Sequence, residues 1–314
     1  MSPFHEALTQ YVAVRRALGT QLREPAVTLR HFVAFLEREG AEFITLALAL
    51  RWATEPYGVQ RATWARRLTA VRRFAAWLRA ADRRTQVPPP RLLDGRRPRH
   101  APHIFADQEI AQLMAAASHW SSPKGVRALT YTTLVGLLAS TGLRPGEALA
   151  LHRDDVDLER GRLSVRHTKF GKSRFVPVHE STRAALAKYA PRREAVGVRD
   201  QRDTFFVSEQ RRRLQGCTAR RTFASLSCAV GLRAVTGPRR SGRGPRLQDF
   251  RHTFATRTLV AWYRAGLDVE RELPTLSTYL GHVDVAHTYW YISAVPELLQ
   301  LATERLCERR QGGA

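Results

Sequence analysis

Apolar residues recur every three or four positions through residues 4–18, 26–36, 44–52 and 59–78, the spacing that gathers one face of an α-helix. In the last of these, Trp64, Leu68, Val71, Phe74, Ala75 and Leu78 share a side, while Arg61, Arg66, Arg67, Arg72, Arg73 and Arg79 take much of the remainder. The pattern predicts a small helical bundle with a basic face. Periodicity stops at residues 87–103. Pro88, Pro89 and Pro90 have no amide to donate and cannot continue a helix, and the basic, glycine-containing run after them predicts an extended linker. The expected organisation is therefore a helical domain over residues 1–86, a linker over 87–103 and a second domain over 104–314.

The second region mixes two periods. Residues 107–117 and 127–140 read as helices, the latter stopped by Gly142 just past its end. Residues 162–167 and 173–178 alternate apolar and polar positions around Lys169, Phe170, Gly171 and Lys172, which predicts a β-hairpin. Helical spacing returns over residues 182–189, 249–264, 276–280, 284–291 and from 296 into the tail. Residues 236–245 form a basic loop rich in glycine and proline. A lone hairpin among helices is an α+β arrangement, mainly helical with a small antiparallel sheet.

Charge narrows the partner. Lysine and arginine number 51 against 28 acidic residues, a net charge of +23 over 314 residues. Such a surface repels itself unless it meets a polyanion, and arginine, which dominates here, suits bidentate phosphate contacts. Cys217, Cys228 and Cys307 lie far apart, without the spacing of a zinc site, so reduced thiols and an intracellular location are expected. The first residues lack the charged-then-apolar pattern of a leader, and no apolar run approaches the ~18 residues that span a bilayer. The expected protein is soluble and cytoplasmic, associated with the nucleoid, with no membrane partner.

Three short segments concentrate the chemistry. In TGLRPGEAL, Gly142 ends one helix and Pro145 suits the first turn of the next, so Arg144 lies at a helix start with Glu147 able to brace it. In QDFRHTFAT, the spacing of Phe250, Phe254 and Thr258 marks a buried side from which Arg251 should point away, with Asp249 alongside. The third is Leu280-Gly281-His282, with Tyr291 nine residues beyond the histidine.

From about Phe105 to the end, these segments resemble the tyrosine recombinases, the phage-type integrase family. TGLRPGEALAL is similar to the family's first arginine box, QDFRHTFAT to its second, and LGHVDVAHTYWY to its LGH motif with the following tyrosine. A narrower likeness points to recombinases carried by transposons. The resemblance implies that Tyr291 attacks DNA phosphorus, forming a 3′-phosphotyrosyl link and releasing a 5′-hydroxyl. It implies that Arg144 and Arg251 hold the non-bridging oxygens and that His282 donates a hydrogen bond to them. Lys169 would protonate the leaving oxygen; Lys172, in the same turn, is the alternative, and Lys169 is preferred because it opens the turn directly after the strand. Tyr279 and Tyr289 lie near Tyr291, and the spacing from His282 selects Tyr291.

One position departs from the family: Gln248 stands where histidine is usual. An amide can orient a phosphate but cannot shuttle a proton, so proton transfer would fall to Lys169 and the arginines. His252, about 100° round the helix from Arg251, is a poor substitute. The link retains the phosphoester energy, so no nucleotide, metal or other cofactor is expected, nor any small-molecule substrate. The expected partners are double-stranded DNA and sister subunits in a homo- or hetero-tetrameric synapse. The tail, with Leu298, Leu299, Leu301, Ala302 and Leu306 in a stripe, either closes its own domain or docks on a neighbour. Two other readings share this scaffold: a type IB topoisomerase-like relaxing enzyme, and a catalytically weak or silent DNA-binding accessory.

Overall fold

The computed structural model describes residues 2–95, 101–123, 125–166, 173–199, 203–235, 244–282, 284–294 and 296–311. The chain divides into two compact units, Met1–His100 and Ala101–Ala314. Among the described residues, no helix is long and apolar enough to cross a membrane.

The first unit is four helices: α1 (Pro3–Ala17), α2 (Arg23–Arg38), α3 (Leu46–Thr54) and α4 (Arg61–Leu78). Ser2 and Thr45 cap α1 and α3, their hydroxyls accepting from the amides of His5 and Leu48. The core holds Leu29, Phe32, Val33 and Leu36 of α2 against Trp52, Val71 and Phe74. The side predicted apolar on α4 is the side that packs, with Leu68, Val71, Phe74 and Ala75 buried. One member of its basic face behaves differently. Arg67 lies 3.7 Å over the Trp52 ring and donates to the Trp52 carbonyl at 2.6 Å, so it serves the bundle. Arg61, Arg66, Arg73 and Arg79 are exposed. The segment read as a linker begins on this unit: the Gln86 amide donates to the Ile44 carbonyl, and Val87 and Leu93 pack against the core.

The second unit contains α5 (Asp107–Ser118), α6 (Val126–Thr141), the single turn α7 (Pro145–Ala148), strands β1 (Val156–Asp157), β2 (Arg162–Val165) and β3 (Arg174–Pro177), then α8 (Glu180–Ala195), α9 (Gly216–Ala229), α10 (Asp249–Arg264), α11 (Val269–Leu280), α12 (Ala286–Ala294) and α13 (Pro296–Gln311). The strands form an antiparallel sheet in the order β1-β2-β3, with Leu163 opposite Val176 and Val165 opposite Arg174. The predicted hairpin is therefore present, while its turn, residues 167–172, lies outside the described residues, as does most of the basic loop, 236–243.

Helix α6 is buried along most of its length, with Leu134, Val135, Leu137 and Leu138 in the core, and it packs on α5, α8 and α10. At the start of α10, Phe250 stacks on Phe105 at 4.3 Å and meets Phe223 edge-on at 5.6 Å. Burying a phenylalanine fully contributes about 2 kcal/mol, so this cluster anchors the turn that carries Arg251. Helix α9 and the first turns of α11 had no sequence expectation; Pro274 and the charged run Glu270, Arg271 and Glu272 obscure the spacing of Val269, Leu273, Leu276 and Leu280, all buried. Helix α13 closes its own unit. Leu298 is fully buried, Arg264 pairs with Glu297 at 2.8 Å, and Arg305 donates to the Gly266 carbonyl at 3.2 Å.

Candidate active site

The first arginine is set by a helix stop and start. Gly142 ends α6 at φ +60°, a conformation costly for any other residue, and a Cβ there would come within 2.6 Å of the Phe254 ring. Arg144 then caps α7. The Glu147 carboxylate reaches back to it, accepting from its amide at 3.1 Å and its Nη1 at 2.8 Å. The brace expected of Glu147 is present.

Arg251 departs from expectation. It does not point away from the buried side; it is among the largest fully buried side chains of the protein, 1% exposed. Thr253, Ala255, Thr256 and Leu259 of the same helix are buried too, whereas Phe254 and Thr258 are only partly so. The reason is that α10 packs on α6, α11, α12 and α13, so a rule of one buried side does not describe it. Asp249, expected beside Arg251, is buried and accepts instead from the Arg246 amide at 2.8 Å.

The buried guanidinium is satisfied by backbone. Arg251 donates from Nη1 to the Gly142 carbonyl at 3.0 Å and from Nη2 to the Leu280 carbonyl at 2.6 Å. Arg144 donates to the Gly281 carbonyl at 3.1 Å, and Arg174 donates from Nε to the Tyr279 carbonyl at 2.8 Å. Three successive carbonyls at the C-terminal end of α11 thus receive three arginines, at the end where the helix dipole is negative. Sequence reasoning missed Arg174 altogether. It also pairs with both Glu147 oxygens, at 3.3 and 2.8 Å.

Electrostatics follow from this crowding. Burial pushes the Glu147 carboxyl up, but Arg174 and then Arg144, by hydrogen bond and charge, hold it below the usual carboxylate range. Burial, with Arg144 next, brings Arg251 down to about 10, which leaves it protonated at neutral pH. Arg144 and Arg174 pair with one carboxylate, Glu147, while Arg251 bonds to backbone carbonyls, so the cluster is organised to receive negative charge.

Tyr291, on α12, is 3% exposed. Burial pushes its phenol up, opposed by the charge and hydrogen bond of Arg251 and by the charge of Arg144. The ring lies near two imidazoles, with centroids 6.2 Å from His282 and 5.5 Å from His252. Nδ1 of His282 is 2.8 Å from the buried Thr288 hydroxyl. His252, read as a poor substitute for the missing histidine, packs against Tyr291 and Trp290, and burial, opposed in part by Asp249, lowers its pKa. Tyr289 is exposed and Tyr279 stacks on Phe254 at 5.4 Å. Gln248 precedes α10 and lines a cavity with Pro145, Arg220, Arg221, Arg233 and Arg246. Arg144, Glu147, Arg251, His282 and Tyr291 are thus brought together, whereas Gln248 lines a cavity that none of them lines; Lys169 and Lys172 lie outside the described residues.

The chain is similar to known proteins over most of its length. Residues 104–297 match the phage integrase family. The integrase/recombinase-type protein y4rB of Sinorhizobium fredii is 46% identical, over 99% of this chain and 98% of its own length. The tyrosine recombinase XerD of Caulobacter vibrioides is 32% identical, over 77% of this chain and 74% of its own. Among solved structures, the Tn1549 transposon integrase in complex with transposon right end DNA shares the fold at a TM-score of 0.65 and 18% identity, covering 96% of this chain and 98% of that one.

Proposed function

Since the chain belongs to the phage integrase family of tyrosine recombinases and is therefore a site-specific DNA recombinase, we propose that it cuts and rejoins DNA through a 3′-phosphotyrosyl intermediate on Tyr291. The phenol oxygen attacks phosphorus and gives its proton to water, the bond to the 5′ oxygen breaks, and Lys169 supplies the proton that oxygen takes up. The reverse step rejoins the strand. Arg144 and Arg251 hold the non-bridging oxygens, His282 donates to them, Gln248 orients the phosphate, and Glu147 braces Arg144. Phosphoryl transfer depends mainly on positioning and charge stabilisation, which a cluster of cationic donors beside one phenol supplies. One observation carries the reading: Arg251, fully buried, donates both to Gly142 in the segment of the first box and to Leu280 in the LGH segment, and its charge reaches the Tyr291 phenol.

Within this reading, residues 1–86 are a core-binding domain, 87–103 a linker and 104–314 the catalytic domain. The exposed Arg61, Arg66 and Arg73 of α4, with Arg79 just after it, support a DNA-facing surface on the first of these. A role in moving a transposon is supported by the likeness to the Tn1549 integrase, whose solved complex holds transposon DNA. The working assembly is a tetrameric synapse, of identical or sister subunits, in which α13 leaves its own unit to dock on the next.

A nicked suicide duplex that traps the covalent intermediate tests the chemistry. The expected result is a protein–DNA adduct, abolished by Tyr291→Phe; an intact Tyr291→Phe adduct, or none with the unaltered protein, would overturn the proposal. Adding two target duplexes separates strand exchange from simple relaxation of supercoils. DNA affinity should fall steeply from low to moderate salt, because phosphate contacts dominate such interfaces.

A further inference from the structure

Arg174 opens strand β3, opposite Val165, at the base of the hairpin. Its side chain is 13% exposed, against 35% for Arg144. Each of its three guanidinium nitrogens already donates within the protein: Nη1 and Nη2 to the two oxygens of Glu147, and Nε to the Tyr279 carbonyl. Partners on two separate segments are therefore spanned by one planar fork, a geometry that lysine, with a single ammonium, cannot reproduce. The fork also fills the space beside the LGH glycine: a Cβ on Gly281 would come within 2.8 Å of Arg174 Nη1.

These contacts put Arg174 behind the site. Glu147 receives Arg174 and Arg144 together, so the position of the Arg144 fork depends on a carboxylate that Arg174 holds in place. The Tyr279 carbonyl lies one residue before the Leu280 carbonyl that accepts from Arg251, and Gly281 leads directly into His282. One side chain thus links the hairpin strand, the first arginine box and the LGH segment.

We propose that Arg174 is a positioning residue for strand cleavage, acting through Glu147 and the Tyr279 carbonyl to hold Arg144 and the Gly281–His282 segment in register. It does not itself contact DNA. This rests on the recombinase reading above. Small misplacements of oriented groups lower rates far more than they lower affinity for the rest of the duplex, so the effect should appear in the chemical step.

The test uses the full chain and the nicked suicide duplex, measuring single-turnover cleavage, DNA affinity and thermal unfolding for Arg174→Lys, Glu147→Gln and the double variant. Cleavage by Arg174→Lys should fall ~10- to 100-fold, with DNA affinity within about twofold of the parent, as expected for a residue off the phosphate path. The double variant should cleave no more slowly than the slower single variant, because the two side chains act as one unit. Full rescue by lysine would show that charge alone matters and overturn the proposal. So would a loss of affinity that matches the loss of rate, or losses that multiply in the double variant. Should Arg174→Lys fail to fold, Glu147→Gln tests the link from the other side and must lose cleavage with affinity retained. Failure of the unaltered protein to form adduct overturns the recombinase reading and this inference with it; adduct from the parent and undiminished cleavage by Arg174→Lys overturns this inference alone.

Discussion

The Thr288 hydroxyl lies 2.8 Å from Nδ1 of His282, and Thr288 is fully buried. A neutral imidazole that donates from Nε2 carries no proton on Nδ1, so the hydroxyl must then be the donor in this pair. With the hydroxyl donating, one of the two directions this pair allows, the imidazole proton is left on Nε2 for phosphate. Thr288→Val keeps the shape and removes the donor. It should slow cleavage about fivefold, the equivalent of ~1 kcal/mol for one hydrogen bond, with DNA affinity unchanged. Equal rates would show that the contact does not set the tautomer.

Tyr289 and Tyr291 sit two residues apart but differ in surroundings, Tyr289 being 48% exposed and Tyr291 3%. Tyr291 lies within reach of the Arg251 charge. Tyr291→Phe should abolish covalent adduct while leaving DNA retention in a gel-shift assay intact, and Tyr289→Phe should retain adduct formation. The opposite pattern would assign the nucleophile to the exposed ring.

Gly281 caps α11 at φ +67°. Alanine there adds a left-handed penalty of roughly 1–2 kcal/mol, and its Cβ overlaps Arg174 Nη1. Gly281→Ala should lower the thermal midpoint by several degrees and slow cleavage together. A variant that melts with the parent would mean that the arginine moves aside at little cost.

Tyr279 gives the stability of the second unit an alkaline limit. Burial pushes its phenol up to about 12, against opposition from Arg174 and Arg251. A group whose pKa is raised on folding contributes stability that is fully present below its unfolded pKa, about 10, and that is lost as pH rises through the folded value. Between about pH 10 and 12 the contribution should decline by a few kcal/mol at most. Denaturant unfolding of the parent and of Tyr279→Phe should converge toward high pH on the parent losing more; parallel curves would count against the burial of this phenol.

Gln248 lines a cavity with Arg221 and Arg246. An amide there orients without moving protons, so Gln248→His should change the cleavage rate by no more than about threefold. A gain of a hundredfold in the same suicide-duplex assay would mean that glutamine leaves the site compromised.

Much of this molecule was readable from local pattern. The helical period in α4, the alternation in β2 and β3, and the glycine and proline around Arg144 are constraints that act within a few residues, so they leave a trace in the sequence. Likewise, the motif segments that hold Arg144, Arg251, His282 and Tyr291 are short, and their order along the chain sufficed to single them out. Helix α9 was not legible in the same way, and Pro274 with its charged neighbours hid the start of α11.

By itself, then, the sequence singled out the side chains proposed for the chemistry and determined that a helical protein with one small sheet would hold them. Tertiary structure decided how they meet. Arg174 finds Glu147 across 27 residues and the Tyr279 carbonyl across 105, separations at which no periodicity or spacing rule operates. Arg251 is buried because four helices surround α10, and a buried cation persists there only because the carbonyls of Gly142 and Leu280 accept its hydrogen bonds. Those carbonyls are present on every residue; only the fold selects which of them face a guanidinium.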